Sequence, residues 1–180
     1  MELKQTDYKD LFVNELAALN LKKLKSDCVI ETDLSVLIPE KYVTNITERL
    51  SLYSALDNVK TPPELESFIH NIIDRFGPLP QEVKDLGETV KMRWEAENLG
   101  VERLVLKNDS LKCYLPPSEN DTYYQSEVFG KILRFIQLKP KGCSLREVSK
   151  KLILSFDTVL DIESALLLLK KINEGELVKA

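Results

Sequence analysis

An α+β domain, with a small mixed or antiparallel sheet covered by several helices, is the fold class this sequence predicts. Three observations predict it. Two stretches, 28–38 and 102–115, alternate apolar and polar residues with the period of a half-buried strand. The segments between and after them repeat apolar residues every three or four positions, the period of an amphipathic helix. The boundaries carry helix-start and turn chemistry at Thr61-Pro62-Pro63-Glu64, Gly77-Pro78 and Asn108-Asp109.

The elements follow in chain order. Leu11, Leu16, Leu19 and Leu24 predict a leading helix over about 7–24, with "KKLK" where cations suit the negative helix end. "CVIETDLSVLIP" predicts a strand that Pro39 stops. Val43, Ile46, Leu50 and Tyr53 predict a helix over about 39–59 whose stripe packs on the sheet. The next helix begins at Pro62, where a missing N–H costs nothing, with Thr61 as N-cap and Glu64 closing a capping box. Leu65, Phe68, Ile69, Ile72, Ile73 and Phe76 form its core face; Ser67, Asn71 and Asp74 lie opposite, and Gly77-Pro78 ends it. A helix over about 80–99 points Val83, Leu86, Val90 and Trp94 inward. Then come a hairpin turning at Asn108-Asp109 and a loop, "PPSENDT". A helix over about 123–138, short strands near 144–148 and 151–156, and a last helix from Asp157 complete the chain.

Composition bounds the function. The 180 residues are 43% apolar and 30% charged, enough for one real core. The formal charge of −4 argues against a duplex-binding module, whose affinity comes from clustered Lys and Arg. Cys28, Cys113 and Cys143 form no C-x-x-C pair, so a reducing, cytoplasmic compartment is the simplest reading. No apolar run is long enough to span a membrane, and "MELKQTDYKD" has no signal-peptide core.

No phosphate-binding glycine loop occurs, and the single histidine, His70, has no neighbouring ligand with which to build a zinc set. An enzyme would need a pocket built around His70 and paired carboxylates. Pairs such as Glu95/Glu97 and Asp157/Asp161 read as solvated faces among lysines and helix caps. Two basic clusters are candidate weak phosphate contacts: Lys22, Lys23 and Lys25, and then Lys139, Lys141, Arg146, Lys150 and Lys151. They lack interleaved aromatics. Trp94 reads as core. Asp74 is the odd residue, because a carboxylate near a helix C-terminus is disfavoured by about 0.3–1 kcal/mol. Either it caps the following helix through the backbone around 79–81, or a partner's cation uses it.

The stretch "IETDLSVLIPEKYVTNITERLSLYSALDNVKTPPELESFIHNIIDRFGPLPQEV", 30–83, resembles the C-terminal domain of the bacterial transcription-repair coupling factor. The shared pattern is an acidic strand, an I-P-x-x-Y-[IV] step, an R-L-x-x-Y helix and a D-R-F-G-x-L-P turn. The resemblance covers about 28–115, including "LGVERL", and fades after Pro116.

This resemblance implies a regulatory, non-catalytic domain over 27–180 and, over 1–26, a connector helix from the preceding translocase motor. The whole coupling factor is an ATP-driven DNA translocase that removes stalled RNA polymerase and recruits the excision-repair damage-recognition protein. Its C-terminal domain docks on a repair-factor-like N-terminal module of the same polypeptide, masking the recruitment surface and restraining the motor. ATP and Mg belong to the motor, so no cofactor is expected in this fragment. The docking face includes the aspartate of D-R-F-G, matched by Asp74, and an acid three residues earlier, where this chain has Asn71. A neutral hydrogen bond there is roughly half as strong as a charge-assisted one. A nucleic-acid-contacting accessory domain is the alternative reading.

Overall fold

The computed structural model describes residues 27–138 and 141–175. The leading helix, the connector over 1–26 with Lys22, Lys23 and Lys25, and also Lys139, lie outside the described residues. Among the described residues five strands form one sheet: β1 (Val29–Thr32), β2 (Arg103–Lys107), β3 (Ser110–Pro117), β4 (Cys143–Val148) and β5 (Lys151–Asp157). Their spatial order is β1-β2-β3-β5-β4, with β1 parallel to β2 and every other pairing antiparallel. The described helices are α1 (Ile46–Asp57), α2 (Pro62–Phe76), α3 (Gln81–Asn98), α4 (Asp121–Tyr124), α5 (Glu127–Gln137) and α6 (Ile162–Glu174). This is the expected α+β class with a mixed sheet.

Strand alternation assigns the two sheet faces. Leu104, Leu106, Leu111, Cys113, Leu154 and Phe156 point to one side, where they meet Met92 and Ala96 of α3, Ile132 and Phe135 of α5, and Ala165, Leu169 and Ile172 of α6. The other face carries Val29, Val105, Tyr114 and Ile153, none of which joins this core. Two smaller clusters hold α1 and α2 to α3, one around Ile38, Val43, Leu52, Ile72 and Val83, the other around Leu56, Leu65 and Val90. Helix α3 therefore has two working faces. Val83 and Val90 serve the helical layer, and Met92 and Ala96 serve the sheet.

Several boundaries differ from the expectation, each for a local reason. The strand predicted over 28–38 stops at Thr32, whose Oγ1 accepts from the Leu34 N–H at 3.0 Å and bends the chain out of the ladder. The helix predicted from 39 starts at Ile46: a turn bonding the Tyr42 and Val43 N–H to the Pro39 carbonyl intervenes, and Asn45 caps the helix through the Glu48 N–H at 3.1 Å. The α1 stripe does not pack on the sheet. Leu52 and Leu56 are buried against α2 and α3 while Ile46 and Leu50 are exposed. The helix predicted over 123–138 is broken into α4 and α5, because Ser126 N-caps the second piece. The last helix begins at Ile162, not Asp157, with Asp161 accepting from the Ser164 N–H at 2.7 Å. Asn108 and Asp109 adopt the positive φ expected of the first hairpin turn, and Ser149 and Lys150 do the same in the second.

Candidate docking site

The turn closing α2 is built from residues far apart in sequence. The Arg75 guanidinium reaches the Glu48 carboxylate of α1 and lies 4.9 Å from the centroid of the Phe76 ring. Phe76 packs on Tyr42 at 5.9 Å between centroids, and the Tyr42 hydroxyl donates to the Gly77 carbonyl at 2.7 Å. Partial burial pushes the Tyr42 phenol up from its ordinary value, so it stays a donor across the neutral range. Gly77 takes φ 86° and ψ −162°, a conformation open essentially to glycine alone, and its N–H closes the helix on the Ile73 carbonyl at 2.8 Å. At the other end of α2, Glu64 accepts from the Lys60 and Thr61 N–H groups, and those bonds, from Lys60 first, hold its carboxyl below the usual range.

Three consecutive residues of this turn, Arg75, Phe76 and Gly77, are thus engaged inside the domain. Asp74 is not. Its side chain is exposed and makes no hydrogen bond or ion pair among the described residues. It does not cap α3 either, because the cap position is Pro80 and carries no side-chain bond. Asn71, one turn earlier, is exposed on the same face as expected, and so is Ser67. His70, Asn71, Ile73 and Asp74 line a shallow surface concavity. The sequence pattern placed Ile73 in the core, yet it is 40% exposed. It lies at the margin of the apolar stripe, and the partners that bury the stripe, Val83 and Leu52, close over Ile72 instead. An exposed carboxylate, an amide and an apolar side chain on one helix face can accept a guanidinium and cover its methylene stem.

His70 also lines a groove of about 510 Å³ between α2 and α3, whose walls include Leu65, Ile69 and Leu79 with Glu66, Asp85 and Glu88 at the rim. Among the described residues no hydrogen bond joins His70 to a carboxylate, and no Ser, Thr, Cys or Tyr lines the groove. Trp94 is half-buried against the cluster of Leu56, Leu65 and Val90, in keeping with its core reading. All three cysteines are free thiols, and burial pushes Cys28 up to about 12 and Cys143 up to about 11.

The second basic cluster is dispersed around the β4–β5 hairpin. Lys150, in its turn, pairs with Glu119 at 2.7 Å, and Lys151 pairs with Glu102 at 2.9 Å. Lys141 and Arg146 are exposed. The sheet also brings up cations that the linear reading did not single out, Arg103, Lys107 and Lys112, from strands β2 and β3. Their only sequence signal was alternation with core residues.

The fold defines the class first: an α+β domain on a five-stranded mixed sheet, with a helical layer carried on α3. The TRCF domain family model matches residues 32–126, and the chain belongs to that family. The chain is 29% identical over 133 residues to the transcription-repair-coupling factor of Rickettsia typhi, covering 72% of this chain and 11% of the relative. It is 32% identical over 104 residues to that of Escherichia coli K12, covering 54% and 9%. With that of Borreliella burgdorferi it shares 25% identity over 171 residues, covering 93% and 15%. The chain therefore spans only a small part, 9–15%, of these curated relatives. A solved structure titled as the C-terminal domain of transcription-repair coupling factor superposes with a TM-score of 0.65 at 18% identity, covering 86% of this chain and 98% of that one. Among the described residues no helix is long and apolar enough to cross a membrane.

Proposed function

We propose that this chain is a non-catalytic regulatory module of a transcription-repair coupling factor, and that the exposed face of α2 is its docking surface. In this reading residues 27–180 form the module and 1–26 connect it to an ATP-driven DNA translocase motor. The α2 face docks on the repair-factor-like N-terminal module of the same polypeptide. Docking hides the surface that recruits the excision-repair damage-recognition protein and restrains the motor until RNA polymerase or DNA displaces it. ATP and Mg act in the motor, and the protein works in the bacterial cytoplasm.

One observation carries the reading. Asp74 is exposed and unengaged among the described residues, while Arg75, Phe76 and Gly77 beside it are held by Glu48 and Tyr42. A carboxylate kept at an unfavourable helix end without an internal role is available to a partner's arginine. The contact must release, so its intrinsic strength is modest and tethering at high effective concentration keeps the closed state populated.

Calorimetric titration of this chain against the repair-factor-like N-terminal module tests the reading. Weak binding by the wild type, abolished by Asp74→Ala with unchanged melting, supports it. Equal binding by both proteins moves the docking surface off α2.

A further inference from the structure

The sheet face turned away from the core is ordered in a way that the docking reading does not use. One row of paired residues crosses all five strands: Val29, Arg103, Tyr114, Ile153 and Arg146. The next row places Glu31, Val105 and Lys112 side by side, and Lys107 follows at the β2 end. Four cations, Arg103, Lys107, Lys112 and Arg146, thus share the face with the carboxylate of Glu31 and, at the rim, that of Asp157. A chain of formal charge −4 has gathered cations here, interleaved with half-buried apolar side chains.

We infer that this face is a platform for single-stranded nucleic acid, with phosphates meeting Arg103, Lys112 and Arg146 and a base stacking on the Arg103–Tyr114 pair. The Arg103 guanidinium lies 5.1 Å from the Tyr114 ring centroid, and guanidinium planes and aromatic rings are the two protein surfaces on which unstacked bases stack. Arg103 and Arg146 stand three strand spacings apart, about 14 Å, which brackets a short run of nucleotides across the sheet. A duplex keeps its base faces inside, leaving Val105, Tyr114 and Ile153 unmatched. An acidic peptide offers charge but no planar faces.

The carboxylate of Glu31 pairs with Arg103 at 2.7 Å and with Lys107 at 3.3 Å. Both pairs keep about a third or more of each side chain open to solvent, where such contacts are weak enough for a phosphate to displace. Lys112 and Arg146 have no carboxylate within ion-pair distance among the described residues.

Fluorescence anisotropy of the 180-residue chain with a labelled oligothymidylate of about 15 nucleotides tests the inference. Neutralising three phosphates predicts a loss of about twentyfold in affinity between ~50 and ~200 mM salt. Lys112→Glu and Arg146→Glu each weaken binding at least fivefold with unchanged melting, Tyr114→Leu weakens the single strand more than a duplex of equal length, and Asp74→Ala, which acts on docking, leaves oligothymidylate binding as it was. The last result separates this face from the α2 surface. Absence of binding at low salt, equal binding by the charge-reversed variants, or displacement by polyglutamate as readily as by unlabelled oligothymidylate overturns the inference. A large fall in melting temperature for both charge reversals also overturns it, since the face is then covered by the chain itself.

Discussion

The helical layer of α1 and α2 and the five-stranded sheet are held together differently, and α3 joins them. The sheet and its covering helices share one continuous core containing Leu104, Leu111, Ile132, Leu154 and Leu169, all essentially inaccessible. The helical layer relies on two small clusters, supplemented by single polar anchors such as the Tyr42 hydroxyl on Gly77 and the Tyr53 hydroxyl accepting from the Ile38 N–H at 2.7 Å. Their outer surfaces differ as well. The helical layer presents a carboxylate and an amide on consecutive turns of one helix, whereas the sheet presents cations brought from three strands. Burial sets stability in the large core; point contacts set geometry in the small ones.

The largest effect expected lies at the seam where α3 enters the sheet. Gly100 has φ 71°, and a Cβ added there would stand 2.4 Å from Cε2 of Tyr123. Tyr123 cannot retreat, being fully buried with its hydroxyl donating to the Leu99 carbonyl at 2.7 Å. Gly100→Ala should therefore cost about 3 kcal/mol or more, from positive-φ strain and overpacking together. Urea titration followed by circular dichroism measures it. A cost below about 1 kcal/mol would mean that the seam is loose and the two regions unfold separately.

Next comes the docking face. Asp74→Ala should remove about 1.5–3 kcal/mol of affinity for the N-terminal module while changing folding stability by less than about 0.5 kcal/mol. Asn71→Asp should strengthen binding severalfold, because a charge-assisted bond replaces a neutral one. Calorimetry paired with thermal melts reads both. Tyr42→Phe reverses the pattern: about 1 kcal/mol of stability is lost with the Gly77 bond, and docking weakens only if the turn shifts.

The smallest effect concerns the cap of α6. Hydrogen bonds from the Ser164 side chain and N–H hold the Asp161 carboxyl below its ordinary value of 3.8. Its stabilisation is complete above the unfolded value and disappears as pH falls through the lower folded value. Asp161→Ala should cost about 1 kcal/mol at pH 7, and the gap between variant and wild type should close below about pH 3.8. Denaturation midpoints across an acid pH series follow the closure.

Much of the helical layer was legible in the sequence because its signals are local. Thr61-Pro62 and Glu64 mark the start of α2, Gly77 marks its end, and the 3.6-residue period separates Ile72 from Asn71 and Asp74. The overextended readings failed where a short polar side chain competed with the ladder or the helix: Thr32 ended β1, Asn45 delayed α1 and Ser126 split α4 from α5. Periodicity counts apolar residues and does not register a hydroxyl or amide capturing a nearby N–H. Ile73 was misplaced for a related reason. Helical period assigns a stripe, but only the neighbouring helices decide how wide a stripe is covered.

By itself the sequence determined the α+β class, the hairpin at Asn108-Asp109, the limits of α2 and the D-R-F-G turn that exposes Asp74. Each depends on backbone preferences and spacings within a few residues. Tertiary structure alone decided the order β1-β2-β3-β5-β4, the capture of Arg75 by Glu48 and the row from Val29 to Arg146. These join residues tens of positions apart. Which strands become neighbours is settled by burial of the whole core, not by any preference written into one segment.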